Sequence, residues 1–441
     1  MLFRQHNIAC LSQFSYLVGD ETTGRAVVVD PQRDVSVYLD EAAELGLRIE
    51  RVIETHFHAD FLSGHLELAA ATGAVVSYGS GARPDFPIEP LEHGQRLSLG
   101  TVVLEVRHTA GHTPESICLV VWERDGDPEP WAVLTGDTLF VGDVGRPDLL
   151  SAEGWTAPDL ARLLHRSVHE QLLTLPDATR VFPAHGAGSA CGRALGDATS
   201  STIGEERSTN PALQLADRDA FVDAVTVGQP VRPRYFEFAA SANRHTHELL
   251  DDHEAPPRLE IDAVPAGVVV LDTRSPDTFA AGHLRGSINV GLEGRFAENA
   301  GNVVRPGTSI VVVTDEGREV EARVRLARVG LDCVVGHLPP TGEERTPRTS
   351  WAEVGPDVQL VDVRNPGEVA DGTAPGAHNI PLPTLLDRVG ELDPARPTVV
   401  FCASGYRSSV AASVLRAVGF PDVLDVAGGY AARSSGRDGG Q

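Results

Sequence analysis

The pattern around Asp272, VVVLDTRSPDTFAAGHLRGSINV, returns around Asp362 as VQLVDVRNPGEVADGTAPGAHNI. In each copy an apolar strand ends in Asp-x-Arg, a helix start follows, and a small-residue turn leads into an Ile-Asn or Asn-Ile strand. A second apolar strand comes next (SIVVVT or TVVFCA), then a helix, then a last strand (DCVVGH or DVLDVAGG). Strands alternating with helices over roughly ninety residues specify a small doubly wound parallel sheet, and the repetition specifies it twice. The N-terminal half is organised differently. AVVVD, RVIETH, AVVSYG, TVVLEVRH, SICLVV, WAVLTGD and TRVFPAH read as strands broken by glycine-rich turns. SVYLDEAAELG, GHLELAAATG and APDLARLLHRSVHEQLLTL carry apolar stripes at helical spacing.

A chain of 441 residues is too long for one core. The expected organisation is a first domain over 1–240, a polar linker or exposed helix over 241–257, module copies over 258–345 and 346–435, and a flexible tail over 436–441. A formal net charge of −25 argues against a nucleic-acid partner, because phosphates are neutralised by Lys and Arg. No apolar run approaches the ~20 residues that span a bilayer, and the polar N-terminus is no secretory signal. Five scattered cysteines without a CxxC pair form neither a disulfide framework nor a zinc cage and fit a reducing cytoplasm. Each is taken as a small buried hydrophobe until something singles it out.

The histidines carry more information. His56, His58 and Asp60 alternate just past a strand in ETHFHADFLSGH, and three further strand ends supply His112 (TAGHTPES), Asp137 (LTGDTLF) and His185 (FPAHG). Gly111, Gly136 and Gly186 beside them allow sharp turns that aim ligands into one pocket. This ordered set resembles the metallo-β-lactamase superfamily, and HFHADFLSGH with GHTPES, GDTLF and GRPDL is most similar to its persulfide dioxygenases, over residues 1 to about 240. The resemblance implies an αββα sandwich with its metal at one edge. In the dinuclear hydrolases of the superfamily, such as glyoxalase II, a second site uses another histidine directly after the HxHxD aspartate. Here that position is Phe61, which offers no lone pair, so a mononuclear site is expected. The persulfide dioxygenase resemblance implies His56, His112 and Asp137 as its ligands, the donor set of facial-triad non-heme Fe(II) oxygenases. His58, Asp60 and His185 then either orient ligands, hold water or guide protons, or persist as remnants of a second site. Arg146 in GRPDL either faces an anionic thiol substrate or is a solvated loop residue. His6, His65, His93, His108, His165 and His169 are read as surface or core residues.

Cys402 is the cysteine singled out. TVVFCASGYRSSVAASVLRAVGF places it between an apolar strand and a helix, followed by Gly405, Arg407, Ser408 and Ser409. Backbone N–H groups, the helix N-terminus and Arg407 would together favour the thiolate, the nucleophilic form. Cys-x-x-Gly-x-Arg-Ser, with DVRNPGE and PGAHNIP, resembles rhodanese sulfurtransferases, which implies sulfane-sulfur transfer through Cys402 and an anion-binding Arg407. The first copy has Thr314 at the matching place with Asp315 and Glu316 beside it, and Cys333 lies outside the loop, so that copy is expected to be silent.

The expected fold class is thus multidomain α/β: a metallo-β-lactamase sandwich followed by two rhodanese-like doubly wound domains. The expected activity is persulfide dioxygenase with rhodanese-type sulfurtransfer. One Fe(II) per chain would oxidise a low-molecular-weight thiol persulfide with O2 to sulfite and free thiol, and Cys402 would exchange sulfane sulfur with thiosulfate or sulfite. Fusion would raise the effective concentration of one activity's product at the other. The first rival is a zinc-dependent thioester hydrolase of the glyoxalase II type with attached sulfurtransferase domains, and a more distant one is a non-enzymatic sulfide sensor or scaffold. No membrane partner is expected, and a homo-oligomer, dimer or tetramer, is compatible with the sequence.

Overall fold

The computed structural model describes residues 1–149, 154–193, 195–215 and 217–435. It divides into two compact units. The first comprises Met1–Gln229 with Phe236–Asp252, the second Pro230–Tyr235 with His253–Gln441. The stretch 436–441, expected to be a tail, lies outside the described residues.

The first unit contains two six-stranded sheets. One runs in the order β1 (Leu2–Ile8), β2 (Gln13–Asp20), β3 (Arg25–Val29), β4 (Arg48–Ile53), β5 (Val75–Gly79) and β6 (Glu89–Leu91). The other holds β7 (Arg96–Ser98), β8 (Val103–His108), β9 (Ile117–Trp122), β10 (Ala132–Gly136), β11 (Arg180–Pro183) and β12 (Ser201–Thr202), again in chain order. Side chains alternate faces along a strand, and both faces of each sheet are covered. Tyr16, Val18, Val27, Val29 and Ile53 meet Leu104, Val106, Leu119, Val121, Leu134 and Phe182 between the sheets. The intervening residues Leu17, Val28 and Val52 pack outward against Tyr38 and Ala42 of the helix Ser36–Glu44 and Leu68 of the helix His65–Thr72. On the opposite outer face Val120, Val133 and Val181 are covered by Ala161 and Leu164 of the helix Ala157–Ser167 and by Phe221 and Val225 of the helix Arg218–Thr226. Double-sided burial explains why these strands read as continuous apolar runs. The layers are αββα, as expected.

Five of the strands, β1, β2, β6, β7 and β12, were not read in advance, and β1 and β2 are the long ones. β1 and β2 pair antiparallel from Leu2↔Gly19 to Ile8↔Gln13. Their polar residues (Arg4, Gln5, His6, Gln13, Ser15) mask the apolar alternation, and Gln13 and Ser15 are buried through side-chain hydrogen bonds to Asp30 O (2.9 Å) and Tyr38 Oη (2.6 Å). The polar segment from 241 likewise turns back onto the first unit as far as Asp252 instead of running free.

The second unit contains two four-stranded parallel sheets. Their orders are β14 (Ile288–Asn289), β13 (Val269–Asp272), β15 (Ile310–Val313), β16 (Val334–Leu338), and β18 (His378–Asn379), β17 (Gln359–Asp362), β19 (Thr398–Phe401), β20 (Val423–Asp425). The repeated Asp-x-Arg has a structural purpose. Arg274 grips Asp272 through Nε (2.9 Å) and Nη2 and reaches Gly282 O at 2.8 Å. Arg364 repeats this on Asp362 (3.0 and 2.7 Å) and Gly372 O (2.8 Å). The paired Asn residues also match. Asn289 Nδ2 donates to the carbonyls of Asp272 and Arg274, and Asn379 Nδ2 to those of Asp362 and Arg364. Asp272 and Asp362 are fully buried, so each depends on its arginine. Replacing Arg364 by leucine should therefore lower the stability of the second copy by about 3–5 kcal/mol, the cost of stranding one buried charge. Urea unfolding followed by Trp351 fluorescence would read this, and an unchanged midpoint would refute it.

Candidate metal centre and thiol loop

His56 lies just beyond β4, Asp137 just beyond β10, and His112 on the connection from β8 to β9. All three are buried, with one potential ligand atom from each lying within 4.8 Å of the others. The backbone permits this at two tight points. Gly136 takes φ 50 against Thr55, and a Cβ on Gly145 would fall 1.9 Å from Asp137 O. Gly186, by contrast, is constrained by the ring of Phe14 and not by a positive φ.

Hydrogen bonds settle which nitrogens face inward. Thr55 Oγ1 gives its proton to Asp30 Oδ2 (2.8 Å), so His56 Nδ1 must donate to that hydroxyl (2.9 Å), leaving Nε2 bare. His112 Nδ1 donates to Arg146 O (2.8 Å), which leaves its Nε2 bare as well. The two Nε2 atoms stand 3.9 and 3.5 Å from Asp137 Oδ2. His56 Nε2 and Asp137 Oδ2 are buried without a hydrogen-bond partner. Orphaned lone pairs converging in a dry pocket are unfavourable unless a cation collects them. The donor set, two neutral imidazoles and a carboxylate, fits a transition metal. Asp30, which orients this arrangement through Thr55 N (2.7 Å) and Oγ1, adopts φ 51, a strained conformation for a non-glycine residue.

Asp137 Oδ1 has a different partner, His185 Nδ1, at 2.6 Å, and His185 Nε2 lies 2.7 Å from Asp60 Oδ2. Burial opposes a charge on His185, but Asp137 and Asp60 outweigh it and push its pKa up to about 10. Burial also opposes the charge on Asp137, and His185, His112 and His56 hold its carboxyl far below the usual range. His58 points elsewhere. Its Nε2 faces Asp30 Oδ1 (3.1 Å) and Glu54 Oε2 (3.3 Å), and the Phe61 ring packs on it at 4.4 Å between centroids. Burial lifts Glu54 to about 7 despite His58.

Sequence reasoning missed two residues here. Asn243, fully buried, donates from Nδ2 to the carbonyls of His58 and Phe61 (2.8 Å each) and accepts from Ser63 N (2.9 Å), clamping the histidine loop. Cys191 lies with Asp60 and His185, ligand atoms again within 4.8 Å of one another. Neither has a motif around it, and only the folded chain brings them in. Arg146 is placed differently from a group exposed to substrate. Its guanidinium is buried, paired with Asp148 (2.7 and 2.8 Å) and bonded to Ala190 O (2.9 Å), and its link to the pocket is the carbonyl that holds His112.

In the second unit Cys402 directly follows β19 and precedes the helix Tyr406–Ala417. Gly405 N donates to Sγ at 3.1 Å, with Ser408 Oγ at 3.6 Å. Gly405 holds φ 97, and a Cβ there would press on Arg348 and Gly428. Arg407 forms a two-pronged pair with Glu368 (2.7 Å each), so its charge is shared between the loop and that carboxylate. The first copy contacts the helix that follows Cys402 directly. Ser409 Oγ donates to Asn289 Oδ1 (2.7 Å), Asn289 N donates to Ser413 Oγ (2.9 Å), and Tyr406 Oη donates to Gly291 O. Thr314 occupies the first copy's equivalent of Cys402, directly after β15, with Asp315 and Glu316 exposed beside it.

The charge state of His185 makes a checkable statement. Its folded pKa of about 10 exceeds the ordinary 6.5. The stabilisation is therefore complete below about 6.5 and disappears as pH rises through about 10. Thermal melts of the metal-stripped chain should decline across that window, and His185→Gln should flatten the decline. An identical slope in both proteins would contradict the assignment.

Comparison with known proteins agrees with this geometry. The sequence matches the metallo-beta-lactamase superfamily over residues 8–185 and the rhodanese-like domain over 259–337 and 351–435. It is 32% identical over 251 residues to "Persulfide dioxygenase ETHE1, mitochondrial" of Homo sapiens, covering 55% of this chain and 87% of that protein. It is 33% identical over 252 residues to hydroxyacylglutathione hydrolase of Synechococcus sp. (strain JA-3-3Ab), covering 51% and 92%. A crystal structure of a metallo-beta-lactamase from Staphylococcus aureus subsp. aureus COL superposes with a TM-score of 0.70 at 32% identity, covering 77% of this chain and 99% of that one. The chain therefore belongs to the metallo-beta-lactamase superfamily, among the homologues of persulfide dioxygenase ETHE1, and continues into two rhodanese-like domains.

Proposed function

We propose that the first unit oxidises the terminal sulfur of a low-molecular-weight thiol persulfide, consuming O2 and water and releasing sulfite and the free thiol. His56, His112 and Asp137 would hold one Fe(II). Iron, when bound, supplies open coordination positions and redox chemistry, the second of which zinc lacks. The observation that carries this reading is the division of Asp137. One oxygen faces the two bare Nε2 atoms, while the other is held by His185 Nδ1–H at 2.6 Å. That hydrogen bond occupies the oxygen that could otherwise face a second cation. Thr55 and the Arg146 carbonyl fix the imidazole tautomers, and the buried wall excludes bulk water from the reacting sulfur.

In the second unit the Cys402 thiolate would attack the outer sulfur of thiosulfate. The S–S bond breaks, sulfite leaves with the bonding electron pair, and the sulfur stays as a Cys402 persulfide until an acceptor such as sulfite or a thiol takes it. The Gly405 N–H at Sγ and the helix N-terminus support the anionic forms in this sequence. A cytoplasmic setting, where thiols stay reduced, suits this use of Cys402.

A zinc-dependent thioester hydrolase is the second reading, favoured by the retention of Asp60 and His185 beside Asp137. Oxygen uptake by the iron-reconstituted chain across a panel of thiol persulfides decides between them. Uptake with at least one persulfide is expected, and zinc-supported thioester turnover without any uptake would establish the rival. Cys402→Ser should abolish sulfur transfer from thiosulfate and leave oxygen uptake within about twofold, since no bond to the metal triad is touched. Parallel loss of both activities would overturn the two-site division.

A further inference from the structure

Arg348 lies outside every motif of the thiol loop, on the segment that joins the two rhodanese-like copies, yet it is bonded into that loop. Its Nη2 donates to Gly405 O (2.8 Å) and to Asp425 Oδ2 (2.7 Å), and its Nε donates to the same Asp425 oxygen (3.1 Å). Asp425 ends β20 and is 6% exposed, so the carboxylate that holds the guanidinium is itself buried. Nη1 reaches Asp277 Oδ1 of the first copy at 2.8 Å, an exposed carboxylate. The next residue secures the same place. Thr349 N donates to Asp425 O and Ala427 N to Thr349 O (2.9 Å each). The turn that follows β20 then donates back to the loop, Tyr430 N to Cys402 O (2.6 Å) and Ala431 N to Ala403 O (3.1 Å).

Gly405 is where this frame meets the sulfur. Its N–H faces Sγ at 3.1 Å and its carbonyl faces Arg348. Glycine populates both signs of φ with little preference, so nothing in the residue itself keeps it at φ 97 and ψ 1. Pinning the groups on either side of its Cα sets both angles. A side chain is excluded there, since a Cβ would lie 2.8 Å from Arg348 Nη2. In a trans peptide the carbonyl and the following N–H point opposite ways. The bond to Arg348 therefore also sets the direction of Tyr406 N–H, a first-turn donor that the helix itself does not use. Neutralising Asp425 is not the whole account of Arg348, because an ion pair alone needs neither a shared loop carbonyl nor a glycine whose missing side chain admits the guanidinium. Direct charge is not the account either. Asp425 and Asp277 together outweigh the one guanidinium, Arg407 is paired with Glu368, and Arg364, against Phe401, is paired with Asp362. What is left to favour the thiolate is the aim of the N–H groups.

We propose that Arg348 is a positioning residue for sulfur transfer: by holding the Gly405 carbonyl it aims the N–H that serves the Cys402 thiolate. This rests on the reading of Cys402 as the sulfur-carrying nucleophile. The segment between the copies thus belongs to the apparatus of the second copy, although Arg348 acts only through Gly405.

The test removes the bond without stranding a charge. In the full chain, Arg348→Met combined with Asp425→Asn deletes both charges of the buried pair, a replacement that is often neutral for stability. Sulfur transfer from thiosulfate to cyanide should then show kcat lowered about tenfold and KM for thiosulfate within about twofold, the pattern of a poorly served nucleophile and not of a poorly bound donor. The ultraviolet absorbance of the thiolate at neutral pH, read as the difference between each protein and its Cys402→Ser counterpart, should fall in parallel. Asp277→Asn changes the local charge and keeps the Gly405 bond, so both readings should stay within about twofold of the parent. Circular dichroism melts confirm folding. If the double variant does not fold, Arg348→Lys serves, because the shorter ammonium stays with Asp425 and lacks the planar fork, and the same losses are expected. Full kcat and full thiolate absorbance in the folded variant would overturn the proposal, as would a raised KM with kcat kept, or an Asp277→Asn effect as large as that of the double variant. A parent chain that shows the thiolate absorbance, loses it in the variant and yet transfers no sulfur would refute the sulfurtransferase reading alone and support the role of Arg348. A parent without thiolate absorbance would overturn that role.

Discussion

The first unit's site depends on how one buried carboxylate is shared. Asp137 offers Oδ2 to two imidazoles and Oδ1 to a third, and each claim is exclusive. A carboxylate at 2% exposure is tolerable only because cationic or proton-donating groups surround it. The same partition separates two kinds of chemistry. An Asp137 with both oxygens free has one for each of two ions, whereas Oδ1 here is taken up by the His185 Nδ1–H. The superfamily fold supports both, so function here rests on the site and not on the architecture.

Much of this was legible because the informative residues lie at strand ends. A strand's alternation identifies it, and the residue beyond its last apolar position must emerge at the edge of the sheet. Together with the resemblance to the metallo-β-lactamase superfamily, that pointed to His56, His112, Asp137 and His185 as neighbours. The module repeat was legible for a related reason, since Asp-x-Arg and Asn recur at fixed offsets from apolar strands. The partner of a polar group, by contrast, could not be read. Arg146 is indistinguishable in sequence from a solvated loop arginine, yet it is buried on Asp148. Arg407 looks like a free cation beside Cys402, yet it shares its charge with Glu368, thirty-nine positions away. Asn243 sits in a polar stretch that reads as linker, and only three hydrogen bonds to the histidine loop reveal why it is buried. Phe61 packs on His58, while His58 itself turns to Asp30 and Glu54.

The two rhodanese-like copies separate what a fold needs from what a reaction needs. The Asp-x-Arg pair and the strand-edge Asn are kept in both, because each stranded aspartate would cost several kcal/mol. The nucleophile is under no such constraint. Thr314 is buried after β15 as Cys402 is after β19, and its exposed neighbours Asp315 and Glu316 disturb no core. A threonine at this place is therefore compatible with the fold of the first copy.

The first copy, with Thr314 at the place of Cys402, is in direct contact with the helix that follows Cys402. Asn289 uses its Nδ2 to tie two strand carbonyls of its own copy, as Asn379 does, and its Oδ1 and N remain available. Both go to the helix that carries the Cys402 loop, through Ser409 and Ser413. Tyr406, at the first turn of that helix, adds a bond to Gly291. Helix N-termini exert their field only over the first turn, so the orientation of Tyr406, Arg407 and Ser408 decides how well Sγ is served. The β14 edge of the first copy therefore helps fix the angle of the helix that begins beside Cys402.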